Sequence, residues 1–340
     1  MKKTVTFGEI MLRLKTPEHM RIVQTDGFEA SYGGAEANVA VSLAVLKDPV
    51  SFVTKLPDNP VGTAALNEVR RYGADTSKVV FGGSRLGIYF FEKGTDIRPT
   101  NVVYDREGSA LALAKPEEFH WDEILKDTDI FYFSGVTPAV SDDVAEAVLE
   151  ALKYCKAHGI ETVCDLNYRS KMWDTKKAQA VMSKLMNYVT LCIANDEDFE
   201  SSLGIHAYDG DISKGIDQIE SYKAGMKEIQ NRYPDCKAVA SVLRNMYTAE
   251  DGDWMGIYLK DGVFYESPVH KVHSFEAVGA GDAFAGALLH SLVREYEPQK
   301  LIDFSISASV LKLMIQRDFN LVTENEIVRV MESKAANLQR

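Results

Sequence analysis

The feature that most constrains the fold of this chain is a repeated alternation between short apolar runs and longer segments whose apolar residues recur at helical spacing. Nearly continuous apolar runs are typical of strands buried on both faces of a parallel sheet, and the intervening segments predict helices that cover it. The sequence therefore predicts an α/β fold with a mostly parallel central sheet flanked by helices. The predicted strands are residues 5–7, 51–54, 130–133, 162–165, 191–194 and 238–242, and the predicted helices are residues 36–46, 62–72, 142–158 and 178–188.

Two stretches near the amino terminus lack helical spacing and alternate between apolar and polar residues instead. They are residues 11–32 and 86–106, and both are rich in aromatic side chains. Alternation of this kind predicts strands with one face exposed. We expect these two segments to form a small antiparallel β lid inserted into a single α/β domain that spans residues 1–340.

A third alternating stretch, residues 247–265, predicts an antiparallel edge of the main sheet. Asp251-Gly252 and Asp261-Gly262 are expected to be its hairpin turns, because Asp-Gly pairs favour the left-handed backbone that such turns need. After Asp282 the pattern predicts an almost entirely helical chain.

The charge balance argues against two classes of partner. With 38 basic and 50 acidic residues the chain has a net charge of −12, which disfavours nucleic acid and anionic membranes as partners. A phosphate-bearing ligand stays compatible, because such sites depend on local amides and bound cations. No apolar stretch approaches the ~18 residues that a membrane span needs, and the four cysteines lack CxxC spacing. We therefore expect a cytoplasmic protein with free thiols.

The strongest local motif is a run of small residues at 278–288. Gly279, Ala280 and Gly281 permit a tight turn, and a helix is expected to begin at Asp282. Free amide N–H groups and the positive end of the helix dipole then converge there and form an anion hole for a phosphoryl group. Asp282 can accept a proton from an attacking hydroxyl, although the dipole is expected to lower its pKa. The alternative is an ordinary glycine-rich turn with Asp282 as the helix N-cap.

A second motif lies nearer the amino terminus. Gly33 and Gly34 precede a predicted helix that carries the polar Asn38 among apolar neighbours. The glycines let a ligand approach the backbone, and the amide of Asn38 can hydrogen-bond the hydroxyls of a sugar. The alternative is a loop-to-helix junction with a capping role.

The two motifs, in this order and about 240 residues apart, resemble the two signatures of the ribokinase-like (PfkB) carbohydrate kinases. The resemblance extends over essentially the whole chain, including the lid strands. It implies a ribokinase-like fold and transfer of the γ-phosphoryl group of ATP to a sugar hydroxyl, with Mg²⁺ as cofactor. Asp282 matches the catalytic base, Gly279, Ala280 and Gly281 match the anion hole, and Gly34 and Asn38 match sugar contacts. The family also favours a homodimer or higher homo-oligomer formed through the lid.

Within that family the chain is most similar to 2-keto-3-deoxygluconate kinases, which implies phosphorylation of this sugar acid to its 6-phosphate. Three segments, residues 87–90, 102–106 and 165–169, resemble their substrate-binding segments. The substrate contacts implied are Tyr89, Tyr104, Arg106 and Arg169. An arginine fork suits a sugar carboxylate, although each arginine alone is equally compatible with an ordinary ion pair. The alternatives are a kinase for fructose, ribose or a related keto-deoxy acid, and a non-catalytic sugar-binding relative.

The same resemblance assigns residues to the nucleotide and the metal. The residues implied to contact ATP are Asn195, Arg244, Gly279, Gly281 and Asn320, and Asp198 is implied to reach Mg²⁺ indirectly, through water. Glu276 and Ala277 stand where the family usually has Asp and Thr, which counts against a monovalent-cation site. Arg317 stands where a glycine often precedes the loop near the nucleotide, so a different local backbone is expected there.

Overall fold

The structure, a computed structural model, describes residues 2–332. The strands are β1 (Thr4–Phe7), β2 (Met11–Lys15), β3 (Glu29–Gly33), β4 (Val50–Val53), β5 (Lys55–Leu56), β6 (Val80–Phe81), β7 (Ile88–Glu92), β8 (Asn101–Asp105), β9 (Ile130–Ser134), β10 (Glu161–Asp165), β11 (Leu191–Ile193), β12 (Ala238–Met246), β13 (Asp251–Lys260), β14 (Val263–Glu266) and β15 (His270–His273). The α-helices are α1 (Ala35–Val45), α2 (Pro60–Arg70), α3 (Trp121–Ile124), α4 (Val136–Val140), α5 (Asp142–His158), α6 (Thr175–Leu185), α7 (Asp198–Leu203), α8 (Ile219–Arg232), α9 (Ala280–Val293), α10 (Pro298–Lys312) and α11 (Glu324–Met331).

The main sheet has nine strands, in the order β14-β13-β12-β11-β10-β9-β1-β4, with β15 also paired to β13. The strands from β12 to β4 run parallel to one another, whereas β13, β14 and β15 add antiparallel pairs at one edge. The predicted mostly parallel sheet with an antiparallel edge is therefore confirmed. Because the strands are parallel, the loops that follow their carboxyl ends all lie at one edge of the sheet.

Helices cover both faces of this sheet, so each central strand contributes to two cores. Phe131 of β9 packs with α5, α6 and α8 on one face, and the adjacent Tyr132 packs with α1, α9 and α10 on the other. Both side chains are fully buried. Burial on both faces explains why these strands read as continuous apolar runs in the sequence. Among residues 2–332, no helix has both the length and the hydropathy required to cross a membrane.

A separate small sheet is formed by four strands in the order β3-β2-β7-β8, and we call it the lid. The pairs β2–β3 and β7–β8 are antiparallel, as expected, and β2 and β7 join them through a parallel contact. The parallel contact arises because the chain leaves the lid after β3, passes through α1, β4 and α2 of the main body, and returns in the same direction.

Helix and strand boundaries differ from the predicted ones mainly at capping residues. Helix α5 has the predicted bounds, but α2 and α6 begin earlier than expected, because the side chains of Asn59 and Asp174 cap their first turns. The predicted turn at Asp261-Gly262 is confirmed by positive φ angles of 52° and 76°. The turn predicted at Asp251-Gly252 is wrong, since β13 begins at Asp251 and the chain reverses just before it.

Candidate active site

A cavity of about 810 Å³ lies where the lid faces the carboxyl ends of the parallel strands. Asp165 at the end of β10, Asn195 after β11 and Arg244 in β12 line it from the main sheet, and Tyr89 and Tyr104 line it from the lid. In open α/β sheets, ligands bind at this edge, so the topology alone marks the cavity as the candidate site.

The amino terminus of α9 opens into this cavity. The expectation that the helix begins at Asp282 is wrong, because Gly279 is its N-cap and Ala280 its first residue, which puts Asp282 third in the helix. Gly279 has a φ of 77°, and a Cβ there would lie 2.2 Å from the carbonyl oxygen of Asp318. The amide N–H groups of Gly281 and Asp282 have no acceptor among residues 2–332. Free N–H groups at a helix start, beside open space at Gly281, form a site for an anion.

The two glycine motifs meet at Asp282. The side-chain amide of Asn38 on α1 donates to Oδ2 of Asp282 over 2.6 Å. Helices α1 and α9 approach closely because Gly286 faces Ser42, where an added Cβ would lie 2.6 Å from the Cβ of the serine. Gly34 is similarly confined, with Cβ space filled by the Glu9 carbonyl oxygen 1.9 Å away. Both motifs therefore build one wall of the cavity.

The electrostatic setting of Asp282 differs from the expectation that its pKa is lowered. Burial raises the pKa of Asp282 to about 6, and the Asn38 hydrogen bond and the charge of Arg169 oppose that rise only in part. Loss of solvation at the cavity wall thus outweighs the favourable groups around the carboxylate. A carboxylate with this pKa is a stronger base than an exposed aspartate and is still ionised near neutral pH.

Three of the predicted sugar contacts, Tyr89, Tyr104 and Arg106, lie at the lid side of the cavity. The Tyr89 hydroxyl donates to Oδ1 of Asp318, and the rings of Tyr89 and Tyr104 lie 6.1 Å apart. Arg106 lines the cavity but also pairs with the carboxylate of Glu9, so the ion-pair alternative for this arginine holds in the absence of ligand. The sequence reasoning missed Glu9, a buried acidic residue two positions after the end of strand β1. Its position after an apolar strand was the available signal.

Arg169 is exposed at the cavity, and its guanidinium donates to the carbonyl oxygen of Tyr168 over 2.9 Å. Its positive charge favours the ionised forms of Asp282, Asp165 and Asp198. It therefore lowers their pKa values and offsets part of the rise caused by burial. Arg169 is therefore a cation placed among several acidic groups, with its guanidinium accessible to a ligand.

Acidic residues line the floor of the cavity near Asn195. Both carboxylate oxygens of Asp198 accept backbone N–H bonds, from Tyr168 at 2.7 Å and from Asn195 at 2.9 Å, and burial raises its pKa to about 6. Asp165, which the sequence reasoning did not single out, has an Oδ1 atom without a hydrogen-bond partner among the described residues. Burial and the charge of Asp198 raise the pKa of Asp165 well above its usual value.

The predicted nucleotide contacts are divided between the cavity and the interior. Arg244 lines the cavity, pairs with Asp196 and lies 5.9 Å from the Trp254 ring, and burial and the neighbouring Arg169 lower its pKa. Asn320 does not line the cavity and is 2 % exposed. Arg317 has a φ of 67°, in the left-handed region of the backbone that favours glycine.

Two buried charges lie behind the anion hole, and the sequence reasoning had singled out only one of them, Glu276. Lys312, at the end of α10, is fully buried and donates to the carbonyl oxygen of Ile315 over 2.9 Å. Burial lowers its pKa to about 8. Glu276, 2 % exposed, pairs with Arg13 and Lys15, which hold its pKa below the usual value despite its burial.

Comparison with known proteins identifies the family. A model described as pfkB family carbohydrate kinase matches residues 1–313. The chain is 34 % identical over 336 residues to the 2-dehydro-3-deoxygalactonokinase of Haloferax volcanii, covering 99 % of this chain and 98 % of that protein. It is 41 % identical to the crystal structure of a 2-dehydro-3-deoxygluconokinase from Thermotoga maritima, with a TM-score of 0.92 and coverage of 98 % and 100 %. A putative ribokinase II from E. coli in complex with ATP and Mg²⁺ shares the fold at 15 % identity, with a TM-score of 0.81 and coverage of 98 % and 100 %. The chain therefore belongs to the PfkB family of carbohydrate kinases.

Proposed function

We propose that this carbohydrate kinase transfers the γ-phosphoryl group of ATP to the terminal hydroxyl of 2-keto-3-deoxygluconate, giving the 6-phosphate. The observation that carries the proposal is the placement of Asp282, held by Asn38, beside the free amides of Gly281 and Asp282 in a cavity that also presents two arginines. The names of the Thermotoga maritima and Haloferax volcanii relatives support an acid sugar of this class. The galactonate isomer, which differs at C4, is the nearest alternative substrate.

In the proposed reaction the terminal hydroxyl oxygen attacks the γ-phosphorus of ATP. A bond forms between these two atoms, the bond from phosphorus to the β–γ bridging oxygen breaks, and its electron pair leaves with ADP. Asp282 accepts the hydroxyl proton. The free N–H groups of Gly281 and Asp282 stabilise the negative charge of the transferring phosphoryl group, because they are already oriented when the substrate arrives.

Recognition of the sugar acid is assigned to the lid and to the loop after β10. Arg106 and Arg169 both line the cavity and can each present a fork of N–H donors to a carboxylate. Arg106 would exchange or share its Glu9 partner when the substrate binds. Gly34 lines the cavity and packs closely against the Glu9 carbonyl, and Tyr104 offers a hydroxyl and a flat apolar wall for the sugar.

For the nucleotide we assign Arg244, Asn195 and the turn at Gly279 and Gly281 to the phosphates, and we leave Asn320 as a support of the neighbouring loop. The acidic floor fits Mg²⁺, because the buried Oδ1 of Asp165 has no partner among the described residues and carboxylate oxygens are preferred Mg²⁺ ligands. Asp165 and, through water, Asp198 would hold the ion. When bound, Mg²⁺ supplies neutralising charge for the phosphates of ATP.

We further propose that the protein acts in the cytoplasm as a homo-oligomer joined through the lid. The four cysteines are free thiols, as is usual in a reducing compartment. The loops that join the lid strands carry strongly exposed apolar side chains, including Val23 at 88 % and Ile97 at 93 % exposure. Exposed apolar groups beside a small sheet favour pairing with another copy.

The proposal is tested by a coupled ADP-release assay on a panel of sugars. We expect the highest kcat/KM for 2-keto-3-deoxygluconate, a lower value for its galactonate isomer, and far lower values for fructose and ribose. Replacing Arg106 or Arg169 by alanine should raise KM for acidic sugars much more than for neutral ones. Preference for a neutral sugar would reject the acid-sugar assignment, and sugar binding without any ADP release would favour the non-catalytic alternative.

A further inference from the structure

We infer that Arg13 is a positioning residue that ties the sugar-binding lid to the phosphate-binding turn, so that kcat depends on a residue outside the cavity. Arg13 lies on lid strand β2 and is fully buried. The inference rests on the proposed function only in taking the turn at 279–281 as the place where the phosphoryl group binds.

The guanidinium of Arg13 joins two carboxylates that come from distant parts of the chain. Its Nη2 atom lies 2.7 Å from Oε1 of Glu276, and its Nη1 donates to Oδ2 of Asp318 over 2.8 Å. The Phe91 ring covers the guanidinium at 4.1 Å. A planar guanidinium that contacts two carboxylates and packs under a ring has little freedom to move, and lysine cannot reproduce both contacts.

Each of the two carboxylates leads to a different part of the site. Asp318 accepts the hydroxyl of Tyr89, which faces the sugar side of the cavity, and its backbone carbonyl lies against Gly279. Glu276 lies three residues before Gly279 and also accepts the backbone N–H of Arg317 over 2.8 Å. A displacement of Tyr89 on the lid would therefore reach Gly279 of the turn through the buried Asp318, whose carboxylate Arg13 holds.

Lys15, the other cation of this cluster, strengthens the tie to Glu276. Its Nζ atom lies 3.0 Å from Oε2 of Glu276, so both carboxylate oxygens face a lid cation. Strand β2 therefore contributes two buried positive charges to the segment before the turn. Charges buried together hold a fixed geometry, because neither partner can exchange the other for water.

A positioning role for Arg13 differs from simple stabilisation of the fold, because it changes the pH at which Asp282 ionises. The titratable groups that interact with Asp282 are Arg169, Asp318, Lys312, Asp165 and Tyr132, and the neutral Asn38 amide donates to it. Removing the Arg13 charge leaves Asp318 less neutralised, so the pH at which Asp282 ionises should rise. A residue that only stabilises the fold would leave that pH unchanged.

The test compares Arg13→Met and Arg13→Lys with the control Arg21→Met, using whichever sugar the wild-type protein phosphorylates. Arg21 is an exposed lid residue that pairs loosely with Glu92 at 3.6 Å, so its variant removes a lid charge without touching the cluster. We expect Arg13→Met to lower kcat by about 100-fold, the usual effect of a small misplacement of reacting groups, with sugar Kd changed far less. In Arg13→Met, the pH range over which kcat rises should move to higher pH. Arg13→Lys should lose less kcat than Arg13→Met.

Near-UV circular dichroism identifies variants that fold. If Arg13→Met does not fold, Arg13→Lys and Glu276→Gln carry the test, each with an expected kcat loss of about 10-fold or more. Arg13→Lys keeps the positive charge, so the pH range over which its kcat rises should stay near that of the wild type, whereas Glu276→Gln removes a negative charge and should move this range to lower pH. A folded variant of this set with wild-type kcat and pH profile would overturn the inference. Because any turned-over sugar serves, a wrong substrate assignment would not affect the outcome.

Discussion

Asp282 is subject to two opposing influences, and the structure shows which one dominates. Its position third in α9 and its bond to Asn38 favour the carboxylate, whereas burial at the cavity wall favours the neutral acid. The result is a pKa of about 6. The group is therefore ionised at neutral pH yet basic enough to accept a proton.

Replacement of Asp282 by asparagine removes the proton acceptor while keeping the shape of the side chain. We expect kcat to fall by about 100- to 10,000-fold, the range that general base catalysis contributes, with the Kd of the sugar nearly unchanged. Steady-state kinetics and calorimetry measure the two quantities. Asp122→Asn, an exposed residue outside the cavity, is the control. Near-normal turnover by the Asp282 variant would remove it from the role of base.

The pH dependence of kcat tests the environment of the same carboxyl group. In the wild type, kcat should rise with pH through about 6, because only the ionised form of Asp282 accepts a proton. In Asn38→Ala the charged form loses a hydrogen bond over 2.6 Å, so the pKa rises and the limb moves to higher pH. Ser42→Ala, one turn along α1, should leave the limb in place. An unmoved limb in Asn38→Ala would show that another group controls it.

At the scale of elements, the site depends on how closely two helices approach. Gly286 lets α9 approach α1, since a Cβ at that position would be 2.6 Å from the Cβ of Ser42. Side-chain carbon at that distance cannot be accommodated without moving a helix backbone. The hydrogen bond between Asn38 and Asp282 therefore depends on Gly286, one turn beyond Asp282 in α9, having no side chain.

Gly286→Ala should separate the helices and disturb that contact. Overpacking is expected to cost about 1–3 kcal/mol, which exceeds the helix-propensity gain of about 1 kcal/mol from replacing glycine. Urea unfolding measures the loss of stability, and kcat should fall as Asn38 moves. Adding Ser42→Gly should recover kcat by removing the opposing Cβ. Wild-type activity and stability in the single variant would show that the helices can shift freely.

The sequence predicted the positions of strands and helices well where one hydrophobic pattern extends over the whole element. It predicted helix ends less well where side-chain hydrogen bonds set them. Strands such as β9 were evident because both faces are buried, but the start of α6 depends on a cap formed by Asp174. The two glycine motifs singled out Asn38 and Asp282, which a hydrogen bond joins in the structure. Glu9 was marked only by its position just after an apolar strand, and Arg13 had no local signal because its partners lie far along the chain.

At the scale of the whole molecule, the lid is the part most exposed to a partner. Ile97 lies at the turn between β7 and β8 with 93 % of its surface exposed. If the lid joins two copies, Ile97→Asp should weaken the assembly, because burying a carboxylate in an apolar contact is unfavourable. Sedimentation velocity over a range of concentrations measures the change. Val263→Asp, at an exposed position on the main sheet, is the matched control. A wild-type monomer, or equal effects of both variants, would reject the lid as the interface.

The parallel pairing of β2 with β7 also has a consequence for how the protein is made. Leu12 pairs with Ile88, so this contact closes a loop through α1, β4 and α2. Long loop closures are slow to form and come after the local contacts that they enclose. The pairing of β2 with β7 should therefore gain protection from hydrogen exchange during refolding after helices α1 and α2, which its loop encloses. In a refolding chain, these helices would then form before the surface assigned to the sugar is complete.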